Sequence, residues 1–295
     1  MSKNHSHNTN SNLKVAFFLN LGFTILEVIG GIYTNSIAII SDALHDLGDS
    51  LSLGLSWWLN NYAKKPGDKR FSFGYQRFSL LGALINSLVL IVGSFFVLSE
   101  AVPRIIEPQH SNAQGMLIFA IIGILVNGAA VFRLKGGKSL NERVVTWHLL
   151  EDVLGWVAVL IASIFLLFSD LHILDPILGI LITLYVLWNV IKRLRETLMI
   201  FLQGVPADVD IEELEKKLTA ISGVHSIHNT HIWSFDGENH VLTIHIVLKN
   251  NLSIPNLIIL KRQAKNMIRS LSIIHSTIEL EFEDEDCYMN DKENT

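Results

Sequence analysis

Residues 41–54 read SDALHDLGDSLSLG and lie inside an apolar run, 37–60, that is long enough to cross a bilayer as a helix. A hydrocarbon core about 30 Å thick needs about 20 mostly apolar residues. A charged side chain inside it costs from about 2.5 to more than 10 kcal/mol. Asp42, His45, Asp46 and Asp49 therefore need a reason to be there. A second apolar run, 144–168, carries TWHLLEDVLG, in which His148 and Asp152 repeat the His-x-x-x-Asp spacing of His45 and Asp49. Residues four apart on a helix share one face, a turn apart. Two such helices facing each other bring two imidazoles and two carboxylates together.

Outward from these runs, the first 200 residues hold four more of similar length: 14–34, 78–100, 115–133 and 172–191. The spacing predicts six spans. The first follows the polar leader MSKNHSHNTNSN and reads as a retained span, not a cleaved signal. Lys and Arg then set the orientation. Lys3 and Lys14; Lys64, Lys65, Lys69, Arg70 and Arg77; Arg133, Lys135, Lys138 and Arg143; and Lys192, Arg193 and Arg195 all fall on one side. The opposite links hold Arg104 alone, so both termini are expected in the cytoplasm. With no cleavable leader, the pattern suits a bacterial inner membrane.

Composition agrees. Only 17% of the 295 residues are charged, against about 25% in soluble proteins, and mean hydropathy is +0.38. The single cysteine, Cys287, excludes a disulfide framework or a multi-cysteine metal cluster. A net charge of −5 gives no electrostatic reason to expect nucleic acid. The lipid bilayer is the expected partner.

Two His and two Asp donors suit a tetrahedral divalent ion, which points to zinc. The two aspartates neutralise Zn²⁺, and the empty site would hold two buried negative charges that protons can replace. Zinc and protons should then compete, and an exchange follows. Asp46 and Glu151 sit about 100° of helix rotation from the nearest ligand, in place for an outer-shell or proton-path role. Asn20, Glu27, Asn86 and Asn127 are further polar residues in the spans, for which packing and a water-lined path both fit. No His-Glu-x-x-His motif appears, and four protein ligands leave no position for a zinc-bound water, so an enzyme is not expected. Ligands that must release their metal fit alternating access better than a continuous pore.

From Gly204 the chain reads as an ordinary soluble domain. A helix is predicted over 208–222, strands over 224–235 and 240–249 joined by a turn at Asp236-Gly237, a helix over 255–271 and a strand over 275–283. The order αββαβ makes a small α+β sandwich with helices on one face of a sheet. The expected boundaries are a flexible leader 1–12, the spans in 13–200, the αββαβ domain in 204–284 and an acidic disordered tail 285–295. Strict strand alternation places His225 and His231 on one face and His228 on the other. His245 lies on the next strand, and Glu279, Glu281 and Glu283 share a face of the last. Spacing alone fits a zinc site and an exposed sheet equally well. Cys287, near the acidic end, reads as a free cytosolic thiol, with membership of a dimer-interface site as the alternative.

SDALHDLGDS, KRFSFGYQRFSLLGAL, EAVPRIIEP, HLLEDVLGWVAVL and LDPILGILITLYVL together resemble the cation diffusion facilitator family, in its bacterial zinc/cadmium/cobalt efflux branch and the animal zinc transporters. The likeness runs from about Leu13 to Glu283. It implies that His45, Asp49, His148 and Asp152 bind transported Zn²⁺. It also implies a homodimer that alternates between inward- and outward-facing states by proton antiport, with a metallochaperone-like, dimerising cytoplasmic domain. IHNTHIW, TIHIVL and TIELE match regulatory cytoplasmic zinc ligands, which implies that role for His228, His245 and Glu281, and less directly for His231 and Glu279. Cadmium, cobalt, iron or manganese could replace zinc as the main ion. The chain departs from the family at two points. Where some members build an extra zinc site from an aspartate and two histidines, Asp68 is accompanied by Phe71 and Tyr75, so that site is expected to be absent or weak. Glu151 stands where the family more often has a small residue, which could tune the site or the proton path.

Overall fold

The computed structural model describes residues 5–134, 140–249, 252–269, 271–283, 285 and 287. Six long helices come first: α1 His5–Thr34, α2 Ile37–Ala63, α3 Phe78–Ile106, α4 Ala113–Leu134, α5 Leu140–Phe168 and α6 Leu174–Phe201. Among the described residues, four segments are long and apolar enough to cross a membrane: Phe78–Ile106, Ala113–Phe132, Leu149–Phe168 and Leu174–Phe201. The helices α1 and α2 are not among them. In α2, three aspartates and a histidine between 42 and 49 lower the apolar content. Helix α1 already begins at His5, inside the leader expected to be flexible. Once a long helix is nucleated, each further residue adds a hydrogen bond at little cost, even a polar one.

The chain forms two compact units, one of residues up to Tyr62 with Leu81–Leu194, the other of Ala63–Leu80 with the chain from Arg195 on. In the helical unit, small residues let helices approach closely, as in membrane bundles. A Cβ on Gly123 of α4 would lie 2.2 Å from the Trp156 ring of α5, and one on Gly48 of α2 would lie 2.6 Å from Leu90 of α3. The start of α2 is fixed by Asp175 at the start of α6. Its carboxylate accepts from the Ser36 hydroxyl, from Ile37 N at 2.8 Å and from Ala38 N at 3.3 Å. An anion at a helix N-terminus satisfies orphan N–H groups and meets the positive dipole end. This cap sets the axial position of everything α2 carries.

The second unit contains α7 Ile211–Thr219, β1 Val224–Ser234, β2 His240–Leu248, α8 Ile254–Arg269 and β3 Ile273–Phe282. Asp210 caps α7 by accepting from Glu213 N at 3.1 Å, and Gly223, at φ +99, ends the turn after it. The sheet order is β1-β2-β3, with β1 antiparallel and β3 parallel to β2, the crossover being α8. Leu242, Ile244, Ile246 and Leu248 of β2 point toward Leu214 and Leu218 of α7 and Leu260, Ala264 and Ile268 of α8, forming one apolar core. The other residues of β2, including His245, therefore face the side opposite the helices.

The segment between α2 and α3 packs in this same unit. Arg77 donates to the carbonyls of Phe235 at 3.1 Å and Ser234 at 3.4 Å, and Phe73 meets the Phe235 and His275 rings. Asp68 is engaged within its own turn, accepting from the Tyr75 hydroxyl at 2.6 Å and from the N–H groups of Arg70 and Phe71. Those bonds, the Tyr75 one first, hold its carboxyl below the usual carboxylate range.

Candidate metal sites

His45 and Asp49, one turn apart on α2, meet Asp152 of α5. His45 Nε2 lies 3.7 Å from Asp49 Oδ2 and 3.8 Å from Asp152 Oδ1. Donors bound to one ion at about 2.0–2.2 Å stand about 3.3–3.6 Å apart on a tetrahedron, so these separations are within a few tenths of an ångström of a shared-ion geometry. Asp152 is buried, whereas His45 and Asp49 are each 23% exposed. His45 and Asp152 border an accessible space, and Asp49 stands one turn along α2 from His45. That space is a cavity of about 350 Å³ lined by Asp42, His45, Glu151, Asp152 and apolar residues of α5 and α6. His148 is on α5, one turn before Asp152, and its side chain lies outside the described residues.

The two outer candidates separate. Glu151 is exposed at the cavity wall. Asp46 is buried on the side of α2 that meets α1, where Asn20 Nδ2 donates to the Asp46 carbonyl at 3.3 Å and to Ser50 Oγ at 3.1 Å. Glu27 is also fully buried on α1. Sequence reasoning named Asp42 but gave it no role; it is buried and lines the cavity, and its Oδ1 is only 3.4 Å from where a Cβ on Gly155 would sit. The available signal was its position three residues before His45, on the same side of α2.

The second cluster is on the helix-free face of the sheet. His228 pairs with His245 across β1 and β2, and Glu279 pairs with His245 across β2 and β3. Glu281, two residues on, points the same way. His245 Nδ1 is 2.6 Å from Glu281 Oε1, and His228 Nε2 is 3.1 Å from Glu281 Oε2. His245 Nε2 faces outward, 3.3 Å from Glu279 Oε2 and 3.1 Å from Asn229 Nδ2.

Strict alternation on β1 does not hold. Between His228 and His231 the register advances three residues against two on β2, with Asn229 at φ +50. One extra residue is a β-bulge, and it restores His231 to the face of His228 instead of the opposite one. His231 nevertheless stays exposed and bonds Asn229 Oδ1 at 2.7 Å, away from the cluster. His225 at the start of β1 pairs with Glu283 just past β3, at 2.8 Å, across the end of the sheet. The tail beyond β3 begins with a turn: Glu285 N donates to Phe282 O at 2.9 Å, and Phe282 N donates to Glu285 Oε2 at 3.1 Å. That turn leads Cys287 back, with Sγ 3.6 Å from His245 Nδ1. One donor atom each from His228, His245, Glu281 and Cys287 falls within 4.8 Å of the others. Apart from Glu285 and Cys287, the tail expected over 285–295 lies outside the described residues.

Comparison with known proteins follows the same division. Residues 13–202 match the cation efflux transmembrane domain, and residues 206–283 match the cation efflux protein cytoplasmic domain. The metal cation efflux system protein CzcD of Cupriavidus metallidurans is 35% identical, covering 95% of this chain and 90% of that protein. A cadmium, cobalt and zinc/H(+)-K(+) antiporter of Bacillus subtilis is 32% identical over 95% and 92%. The zinc transporter ZitB of Escherichia coli is 30% identical over 99% and 97%.

Proposed function

The chain belongs to the cation efflux family, which makes it an integral-membrane metal transporter and not an enzyme, and on that premise we propose that it exports zinc from the cytoplasm in exchange for protons. The observation that carries this reading is the meeting of His45, Asp49 and Asp152 from two helices, with His45 and Asp152 bordering a cavity. His148 would complete the tetrahedral set. Zinc is the cargo: two imidazoles and two carboxylates form a neutral complex with it, and protons on the same carboxylates keep the empty site neutral for the return. Strict competition for one set of donors is what couples the two flows. Neither ion needs a step of its own.

The positive-inside count across the links supports this direction, and with it the reading of six spans with both termini in the cytoplasm. A bacterial inner membrane fits the same pattern. Alternating access requires a bistable bundle, and the family's cytoplasmic dimerisation fold supports a homodimer as the working unit. Asp46 and Glu151, on opposite sides of the ligand face, would pass protons or steer the ion. His228, His245 and Glu281 would bind regulatory zinc in the cytoplasmic domain. Their fit rests on His228 Nε2, which is buried and makes no hydrogen bond although Glu281 is 3.1 Å away. His231 has turned aside to Asn229 and is the weakest candidate.

The test is zinc uptake into inside-out vesicles under an imposed pH gradient. Uptake should follow the gradient, collapse when the gradient is dissipated, and disappear in Asp49→Ala and Asp152→Ala. Gradient-independent uptake, or normal uptake by either variant, sinks the reading. Competition with cadmium, cobalt and manganese in the same vesicles ranks the ions, and a main ion other than zinc would change the cargo but not the mechanism.

A further inference from the structure

The cytoplasmic cluster has a donor that sequence spacing does not announce. Cys287 is beyond the last strand, in a stretch whose composition reads as disordered tail. The Phe282–Glu285 turn instead brings it over the strand face that carries His245.

Distance gives the first argument. With zinc–sulfur bonds of about 2.3 Å and zinc–nitrogen bonds of about 2.0–2.1 Å, a tetrahedral N–Zn–S edge is about 3.6 Å. Cys287 Sγ and His245 Nδ1 are 3.6 Å apart. The corresponding N–O edge is about 3.3 Å, and His228 Nε2 to Glu281 Oε2 is 3.1 Å. The 2.6 Å contact between His245 Nδ1 and Glu281 Oε1 is the one that falls well short of such an edge. That is a hydrogen-bond distance, where one proton holds the place an ion would take. Orientation gives the second argument. A metal-ligating imidazole usually offers its other nitrogen to a carboxylate, which fixes ring and tautomer. His245 Nδ1 points to Glu281 and Cys287, while Nε2 faces Glu279 at 3.3 Å.

We propose that Cys287 is the fourth donor of a metal site built within one chain with His228, His245 and Glu281, and that Glu279 positions His245 from outside without touching the ion. This deepens the reading of that face as a zinc-binding one and rests on it. On binding, the thiol and the His245 Nδ1–H give up their protons and the ion takes their place. The thiolate changes which ions are sensed. Sulfur favours zinc, cadmium and cobalt over magnesium, calcium and manganese, so a cytoplasmic site of this composition responds to softer cations and ignores the abundant hard ones. The intramembrane set has no sulfur and ranks ions by its own imidazoles and carboxylates.

Because Cys287 is the chain's single cysteine, any thiolate-to-metal signal reports it alone. Cobalt(II) is titrated into the full-length protein carrying Asp49→Ala and Asp152→Ala, which disables the intramembrane site. The expected result is visible d–d absorption of a tetrahedral ion together with a sulfur-to-cobalt charge-transfer band in the near ultraviolet. Cys287→Ser should abolish the charge-transfer band, keep the d–d bands and weaken cobalt binding about 10-fold or more; Glu279→Gln should keep the band and weaken binding by about 10-fold. Tetrahedral d–d bands without charge transfer in the cysteine-containing protein would remove Cys287 from the site and leave the three-donor reading standing. No cobalt bound in that background would overturn both. Neither outcome bears on zinc uptake by unmodified vesicles, which is judged separately.

Discussion

The molecule gathers imidazoles and carboxylates twice, once between helices and once across a sheet, and the two places are built by different means. In the helical unit each contributing element supplies a ready-made pair, His45 with Asp49 and His148 with Asp152, because a helix returns to the same face every four residues. Only the facing of α2 and α5 remains to be decided. On the sheet no element supplies a pair. His228, His245 and Glu281 come from three strands, one residue each, and Cys287 from the turn after the last. Local spacing therefore specifies the first cluster, and register specifies the second. The expected sensitivity to mutation differs accordingly: in the bundle, losing a ligand should stop transport, while on the sheet it should retune metal response.

The largest effects break the comparison at its intramembrane end. Asp49→Ala or Asp152→Ala should lower zinc uptake by about 100-fold or more, since even residues outside the ligand shell are worth about 10–100-fold in metal affinity. Uptake assays on variants matched for membrane insertion decide this. A second large effect concerns choice of ion. His45→Asp or His148→Asp exchanges nitrogen for oxygen and should relax selectivity toward harder ions such as manganese. Competition assays with manganese and cadmium that show the unaltered ranking would mean the imidazoles do not select.

A smaller effect tests whether the α2 site depends on the cap at its end. Asp175→Ala removes the acceptor for Ser36, Ile37 and Ala38, and hydrogen bonds to a charged group are worth about 1.5–3 kcal/mol each way. The thermal midpoint in detergent should fall, and zinc affinity should weaken with it if α2 shifts along its axis. An unchanged affinity in a destabilised protein would separate the cap from the site. On the sheet, Glu281→Gln should weaken zinc binding by the cytoplasmic domain about 10-fold, with vesicle uptake at saturating zinc still present. Equal loss of both would erase the distinction between the two clusters.

The smallest effect lies beside the sheet, at Asp208. Its hydrogen bond to His240, 3.2 Å away, holds its carboxyl below the usual carboxylate range. A depressed carboxyl contributes stability above its unfolded pKa and loses it as pH falls through the folded value. Asp208 is 69% exposed, so solvent screens the pair and the contribution is at most about 1 kcal/mol. Asp208→Asn should flatten that small acid-side loss in pH-dependent thermal melts and leave neutral-pH stability within about 1 kcal/mol.

Much of this was legible beforehand for reasons that can be named. The six long helices follow from six apolar runs, and helices shorter in sequence than in space, such as α1 and α6, extend because polar residues can continue a helix that apolar ones began. The order αββαβ follows from periods of 3.6 and 2 and from the turn at Asp236-Gly237. Two features of the sheet domain were not legible. One was the face of His231, because a one-residue bulge at Asn229 resets alternation and carries no strong sequence mark. The other was the return of the tail at Glu285, which an acidic composition conceals.

By itself the sequence determined where charge could sit, because a hydrocarbon core penalises every ionisable group and leaves His45, Asp49, His148 and Asp152 conspicuous at helical spacing. It also determined the class of ion those groups favour, since donor chemistry does not depend on the fold. The tertiary structure alone decided which side of α2 meets α5, that Asp42 joins the cavity wall, and that Asp46 turns toward α1. It alone brought Cys287 over His245, more than forty positions away in the chain. Contacts between distant residues depend on register, bulges and turns, and each of these shifts by a single residue without changing the composition that a sequence displays.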